Sequence, residues 1–107
     1  MAAQVVIAAY RPHAGKDAEF RRLLAQHGPT LRSEGLITGR PTVVLRAGDG
    51  TFLEIFEWAS DEAVRGAHER APVARLWEAM EKAADFVSLD SLEESHRPFT
   101  HFEPVEV

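Results

Sequence analysis

The sequence predicts one α+β domain with its elements in the order β-α-β-β-α-β, an antiparallel sheet carrying its helices on one face. Three patterns predict it. The opening segment, Gln4 to Arg11, is apolar at both alternating sets of positions. Two separate stretches carry apolar residues at helical spacing. Between them lies a hairpin whose second strand, Thr51 to Trp58, runs into a Ser60 helix cap. At 107 residues, 45% of them hydrophobic and 27% charged, the chain fits a single folded domain with an ordinary core.

In the first strand, Val5, Ile7 and Ala9 form one set, and Val6, Ala8 and Tyr10 the other. A strand apolar on both sides is covered on both sides. Helices on one face leave the other face to a partner, the first pointer to a dimer. Pro12 to Gly15 is a turn, and a helix opens at Lys16 with Asp17 and Glu19 near its positive end. Phe20, Leu23, Leu24, His27 and Leu31 form its stripe, with a kink or short break expected at Gly28-Pro29 and a stop at Glu34-Gly35-Leu36. The second strand spans Leu36 to Ala47, clearest over Thr42–Arg46 because Gly39 and Pro41 interrupt its first half.

The third strand puts Phe52, Glu54, Phe56 and Trp58 on one face, and Leu53, Ile55 and Glu57 on the other. The aromatic face is taken as the one that helices leave bare, to be buried sheet against sheet in a two-fold homodimer. After Ser60, the inner stripe is Val64, Ala67, His68 and Ala71. Pro72 begins a further helix with Val73, Leu76, Trp77, Met80 and Ala84 as its apolar face. Phe86 to Leu89 is a short last strand. The domain covers residues 1–107, with a core over about 4–90 and a C-terminal arm, 91–107, anchored by Phe99, Phe102 and Val105. The arm is expected to cross to the other subunit or to close one mouth of a pocket. The whole order is that of a ferredoxin-like domain.

A net charge of −5 argues against a nucleic-acid partner. The absence of cysteine excludes disulfides, thiolate metal sites and a cysteine nucleophile. No apolar run is long enough to span a membrane, and Met1–Arg11 lacks a signal-peptide pattern, so a cytoplasmic location is expected. No metal is expected: Pro72 stands where a second histidine would follow His68. Phosphate loops and G-x-S-x-G elbows are missing as well.

Several stretches together resemble the dimeric α+β barrel superfamily, and within it the antibiotic biosynthesis monooxygenase-like domains. They are the first strand VVIAAYRPHAGK, SEGL at Ser33–Leu36, FEWAS at Phe56–Ser60 and DEAVRGAHERAP at Asp61–Pro72. The resemblance covers about residues 4–90 and implies a dimer whose sheets pack face to face. It also implies a small-molecule oxygenase without cofactor, in which an oxidisable aromatic or apolar substrate supplies the electrons. In the heme-degrading branch, a tryptophan and a heme-ligating histidine fall at positions held here by Ala67 and Trp77, and the first-strand asparagine has no counterpart. Heme binding therefore ranks last.

Among single residues, His68 is the candidate base or substrate-anion partner, since histidine titrates near neutrality. Tyr10, Arg11 and Glu54 are the polar positioning groups, and Phe56, Trp58 and Trp77 the aromatic pocket wall. Each has a plainer reading. His68 would pack at a helix end, Glu54 would pair with Arg46 across the hairpin or with the partner subunit, Arg11 would be a solvated charge, and the aromatics would be core. His27, on an apolar stripe, reads as a satisfied interior histidine. The rival to an enzyme is a non-catalytic dimeric module that binds a ligand or supports a partner.

Overall fold

The computed structural model describes residues 3–107; residues 1 and 2 of the expected domain lie outside the described residues. Five strands form one antiparallel sheet in the order β4-β1-β3-β2-β5. They are β1 (Gln4–Pro12), β2 (Val43–Arg46), β3 (Phe52–Trp58), β4 (Ala84–Val87) and β5 (Glu103–Pro104). Three α-helices accompany them: α1 (Asp17–Ser33), α2 (Asp61–Gly66) and α3 (Ala71–Ala83). The chain is thus an α+β fold on an open sheet. No helix among the described residues is long and apolar enough to cross a membrane.

Register explains where the core sits. Pairing of β1 with β3 sets Tyr10 opposite Phe52, Ala8 opposite Glu54 and Val6 opposite Phe56. Side chains alternate across a strand, so these six point to one side. That side is the one the helices cover: Tyr10, Phe52, Phe20 and Leu24 of α1, and Leu76 and Met80 of α3 share one buried cluster. Phe56 and Trp58 join Leu31, Ala67 and Val73 in a second. The aromatic face of β3, expected to be bare and to meet a partner, is therefore the core. Alternation separates the two faces of a strand but does not say which one receives the helices.

The opposite face carries Val5, Ile7 and Ala9 of β1, Leu53, Ile55 and Glu57 of β3, and Val43 and Leu45 of β2. Half of it is covered by the chain itself. After β4, two single-turn 3-10 segments, Leu89–Ser91 and Glu93–His96, bring Leu92 onto Ala9, Ala47 and Leu53, with Phe102 alongside. The arm then adds β5 to β2, pairing Leu45 with Pro104 and Arg46 with Glu103. Its Val105 is buried in the helix-side core. Phe99, expected as an anchor, is 89% exposed. The uncovered half displays Val5, Ile7 and Val43, respectively 54, 49 and 44% exposed.

Local differences have local reasons. Helix α1 runs unbroken through Gly28-Pro29. The proline ring lies on the solvent side, while buried Leu24, His27 and Leu31 hold the helix to the sheet on both sides of the lost donor. Helix α1 then ends where expected, with Gly35 at φ 72° and Leu36 N–H returning to the Leu31 carbonyl. Residues 36–42 are not continuous strand; Ile37 makes only an isolated bridge to Trp58. Strand β4 starts earlier than expected, at Ala84, immediately after α3. Ser60 does cap α2, its hydroxyl accepting from Ala63 N–H at 3.1 Å.

Candidate functional site

A cavity of about 350 Å³ opens between the helix-side face of β1 and helix α3, where β4 stops short and leaves the first half of β1 unpaired on that edge. Phe56, Trp58, Trp77, Met80, Phe86 and Leu89 give it a largely apolar lining. Its volume suits a small organic ligand. Besides Ser88, two polar side chains, Tyr10 and His27, also line it.

These two belong to a buried chain of hydrogen bonds. Glu54, only 1% exposed, accepts from the Tyr10 hydroxyl through Oε1 at 2.8 Å. His27, 2% exposed, meets the same carboxylate through Nδ1, at 2.9 Å to Oε1 and 2.8 Å to Oε2. On the other side of the ring, Trp77 Nε1–H donates to His27 Nε2 at 2.8 Å. An indole N–H only donates, so Nε2 is the acceptor and the ring proton sits on Nδ1. His27 is then neutral while Trp77 is in place. Its contact with Glu54 is a charge-assisted hydrogen bond rather than an ion pair. Glu54 is held by two neutral donors with no cation against it.

Topology makes the constellation. Tyr10 and Glu54 project from neighbouring antiparallel strands to the helix side, where α1 supplies His27 and α3 supplies Trp77. The imidazole sits edge-on to Phe56, with centroids 5.7 Å apart at 85°. Behind Glu54, a second cavity of about 240 Å³ lies between α1 and β2, bordered by Gly28, Arg32 and Thr42. The Thr42 hydroxyl is buried and has no protein partner.

Tyr10 has its phenol pKa pushed far above the ordinary value of 10.0, first by burial and then by the negative charge and hydrogen bond of Glu54. A raised pKa favours the folded state below the unfolded value, and that contribution fades as pH rises through and beyond 10.0. Tyr10 is the only tyrosine, so absorbance titration reads it alone. Phenolate absorbance is expected to appear only together with alkaline unfolding followed by circular dichroism. A reversible phenolate signal at about pH 10 in folded protein would show that the hydroxyl is not buried on Glu54.

Five of the seven residues singled out from sequence are brought together here: Tyr10, Glu54, Phe56, Trp58 and Trp77. Arg11 is not among them. It points to the arm side, holding Thr51 Oγ1 at 3.1 Å, Asp49 at 3.3 Å and Ser91 at 3.2 Å. Nor is His68, expected on an inner helical stripe. Helix α2 ends at Gly66 and His68 falls in the 3-10 turn Ala67–Glu69, exposed. The buried pair that sets the inward side is Ala63 and Ala67, while Val64 is 38% exposed. His68 instead borders a shallow outer groove of about 530 Å³ with Arg75, Trp77, Glu78 and Glu81. Arg46 pairs with Asp17 at 2.8 Å, not with Glu54.

His27 does lie inside and satisfied, as its stripe suggested. What the stripe did not reveal is that it joins Glu54 to Trp77 at the cavity wall. The available signal was a buried acid on the strand facing a helical histidine, each needing a partner. Among the described residues, no group of three or more histidine, aspartate and glutamate side chains is placed to hold a metal. No protein-family model, curated protein or solved structure matches the chain.

Proposed function

We propose that the chain is a small-molecule enzyme of the cofactor-independent monooxygenase type, acting on an oxidisable aromatic substrate in the cavity between β1 and α3. The observation that carries this reading is an apolar cavity whose wall holds one imidazole, backed by a buried carboxylate. A carboxylate on Nδ1 fixes the tautomer and stabilises the imidazolium that forms when Nε2 takes a proton. His27, rather than the exposed His68, is the base in this reading. Phe56, Trp58 and Met80 would hold the ring system, and Tyr10 would steady Glu54. The deprotonated phenol would give its electrons to dioxygen, so that the phenol with one ring C–H and O2 yield a quinone and water, and the proton held on His27 leaves with that water.

The test is dioxygen uptake with planar phenols and quinols, alongside thermal shifts. Wild-type protein is expected to bind and to consume oxygen. His27→Gln is expected to keep its fold and lose at least about a hundredfold in rate. The enzyme reading fails if no such compound is consumed, or if the variant is as fast as wild type. One observation favours a second reading, a non-catalytic ligand-binding module: Trp77 already occupies Nε2, so the base is not free in this structure. Binding without oxygen uptake selects it.

The same proposal includes a ferredoxin-like domain in a dimeric α+β barrel. The order β4-β1-β3-β2 supports the first part. The exposed Val5, Ile7 and Val43 on the open face support the second, since a two-fold partner sheet would bury them. Sedimentation as a monomer at micromolar concentration would remove the dimer.

A further inference from the structure

We infer that Trp77 is a displaceable cap on His27, and that the cavity therefore selects ligands bringing an O–H or N–H donor of their own. This rests on the reading of the cavity as the ligand site. Nδ1 of His27 is committed to Glu54, so Nε2 is the ring's remaining valence, and the Trp77 indole holds it at 2.8 Å. The fixed tautomer makes Nε2 an acceptor only. Whatever replaces the indole there must donate. A ligand with no donor would push the indole aside and leave a buried nitrogen unpaired, or would leave the cap in place and lose the innermost part of the cavity.

Displacement has somewhere to go. Trp77 is half-buried and borders both the inner cavity and the outer groove, so its indole is part of the wall between them. The groove side is open and carries the exposed carboxylates of Glu78 and Glu81, acceptors available to an indole N–H that has left His27. The inner side keeps Phe56, Trp58 and Met80 as a floor for the ligand's ring. A phenol donating to Nε2 would thus exchange one hydrogen bond for another and free the indole to find a new partner. Ethers and quinones offer no such exchange.

The experiment uses two matched probes, 2-naphthol and its methyl ether, with wild-type protein and Trp77→Phe. In the free wild type, NMR is expected to show scalar coupling across the hydrogen bond between Trp77 Nε1 and His27 Nε2. Saturating 2-naphthol is expected to abolish that coupling and to bind about tenfold or more tighter than the ether. Trp77→Phe, verified as folded by circular dichroism, is expected to tighten naphthol binding, because no indole hydrogen bond has to be given up. The cap is overturned if the ether binds as well as the naphthol, or if coupling persists in the saturated complex. Naphthol binding to the variant alone overturns displacement, since the indole then blocks Nε2 in the wild type. Binding of neither probe to either protein overturns both the cap and the cavity as a ligand site. Coupling lost on binding, with no oxygen uptake, keeps the cap and removes only the enzymatic reading.

Discussion

Replacing Glu54 with alanine is expected to destabilise the fold by about 3–5 kcal/mol, measured by urea unfolding. The size follows from what is left behind. Tyr10 loses the acceptor of its hydroxyl and His27 loses the acceptor of its Nδ1–H, and both groups are buried. Each orphaned donor costs on the order of 1–3 kcal/mol, and the missing side-chain volume adds a cavity term. Glu54→Gln should lose less, because its carbonyl still accepts one of the two bonds, although its NH2 then faces a donor. Tyr10→Phe, which removes a single bond to a charged group, is expected to cost roughly 1.5–3 kcal/mol. Glu54→Ala within about 1 kcal/mol of wild type would falsify the closed network, since water would then be reaching both donors.

Phe20→Ala should cost about as much, roughly 3–5 kcal/mol, by a different route. Phe20 has no exposed surface and lies between Tyr10, 5.1 Å away at 48°, and Phe52, 5.9 Å away at 34°. Cutting it to alanine empties the contact between α1 and the sheet, where the surrounding rings are themselves packed and collapse only partly. The urea midpoint should fall with little change in slope, because the surface exposed on unfolding stays nearly constant. Phe20→Leu keeps most of the volume and should lose much less. A small effect from the alanine variant would mean that the first turns of α1 shift to refill the site. Domains of this size have about 5–15 kcal/mol in total, so either alanine variant removes a large part of it.

Much of this framework was legible in the sequence. The alternation of Phe52, Glu54, Phe56 and Trp58, and the helical spacing of Phe20, Leu24, His27 and Leu31, are the two surfaces that meet. That Tyr10 and Glu54 share a face follows only from the register of β1 on β3, which parity within each strand does not fix. What parity cannot supply is the choice of covered face, because both faces of β1 are apolar and β3 differs mainly in ring size. Helix periodicity failed at His68 for a related reason. Six residues are too few to fix a phase, and the change to a 3-10 turn after Gly66 rotates everything beyond it. His27 was placed correctly, but its neighbours Glu54 and Trp77 lie 27 and 50 residues away, and no local pattern carries such pairing.

The arm over the open face has a consequence for how the native state opens. Its two ends are held differently. Leu92 rests on the outside of the sheet, and the amides of Ser91, Leu92 and Ser95 bond only within their own turns. Val105 is in the main core, and its amide bonds to the Val44 carbonyl. In hydrogen exchange the first group belongs to a small unit that lifts independently, whereas Val105 exchanges only when the sheet itself unfolds. Because the far end stays fixed, lifting the middle leaves a tethered loop rather than a free tail, and it closes again quickly. While it is lifted, Ala9, Leu53 and Leu45 join Val5, Ile7 and Val43 in one apolar surface. The moment of greatest stickiness in this molecule therefore comes while its core is still intact.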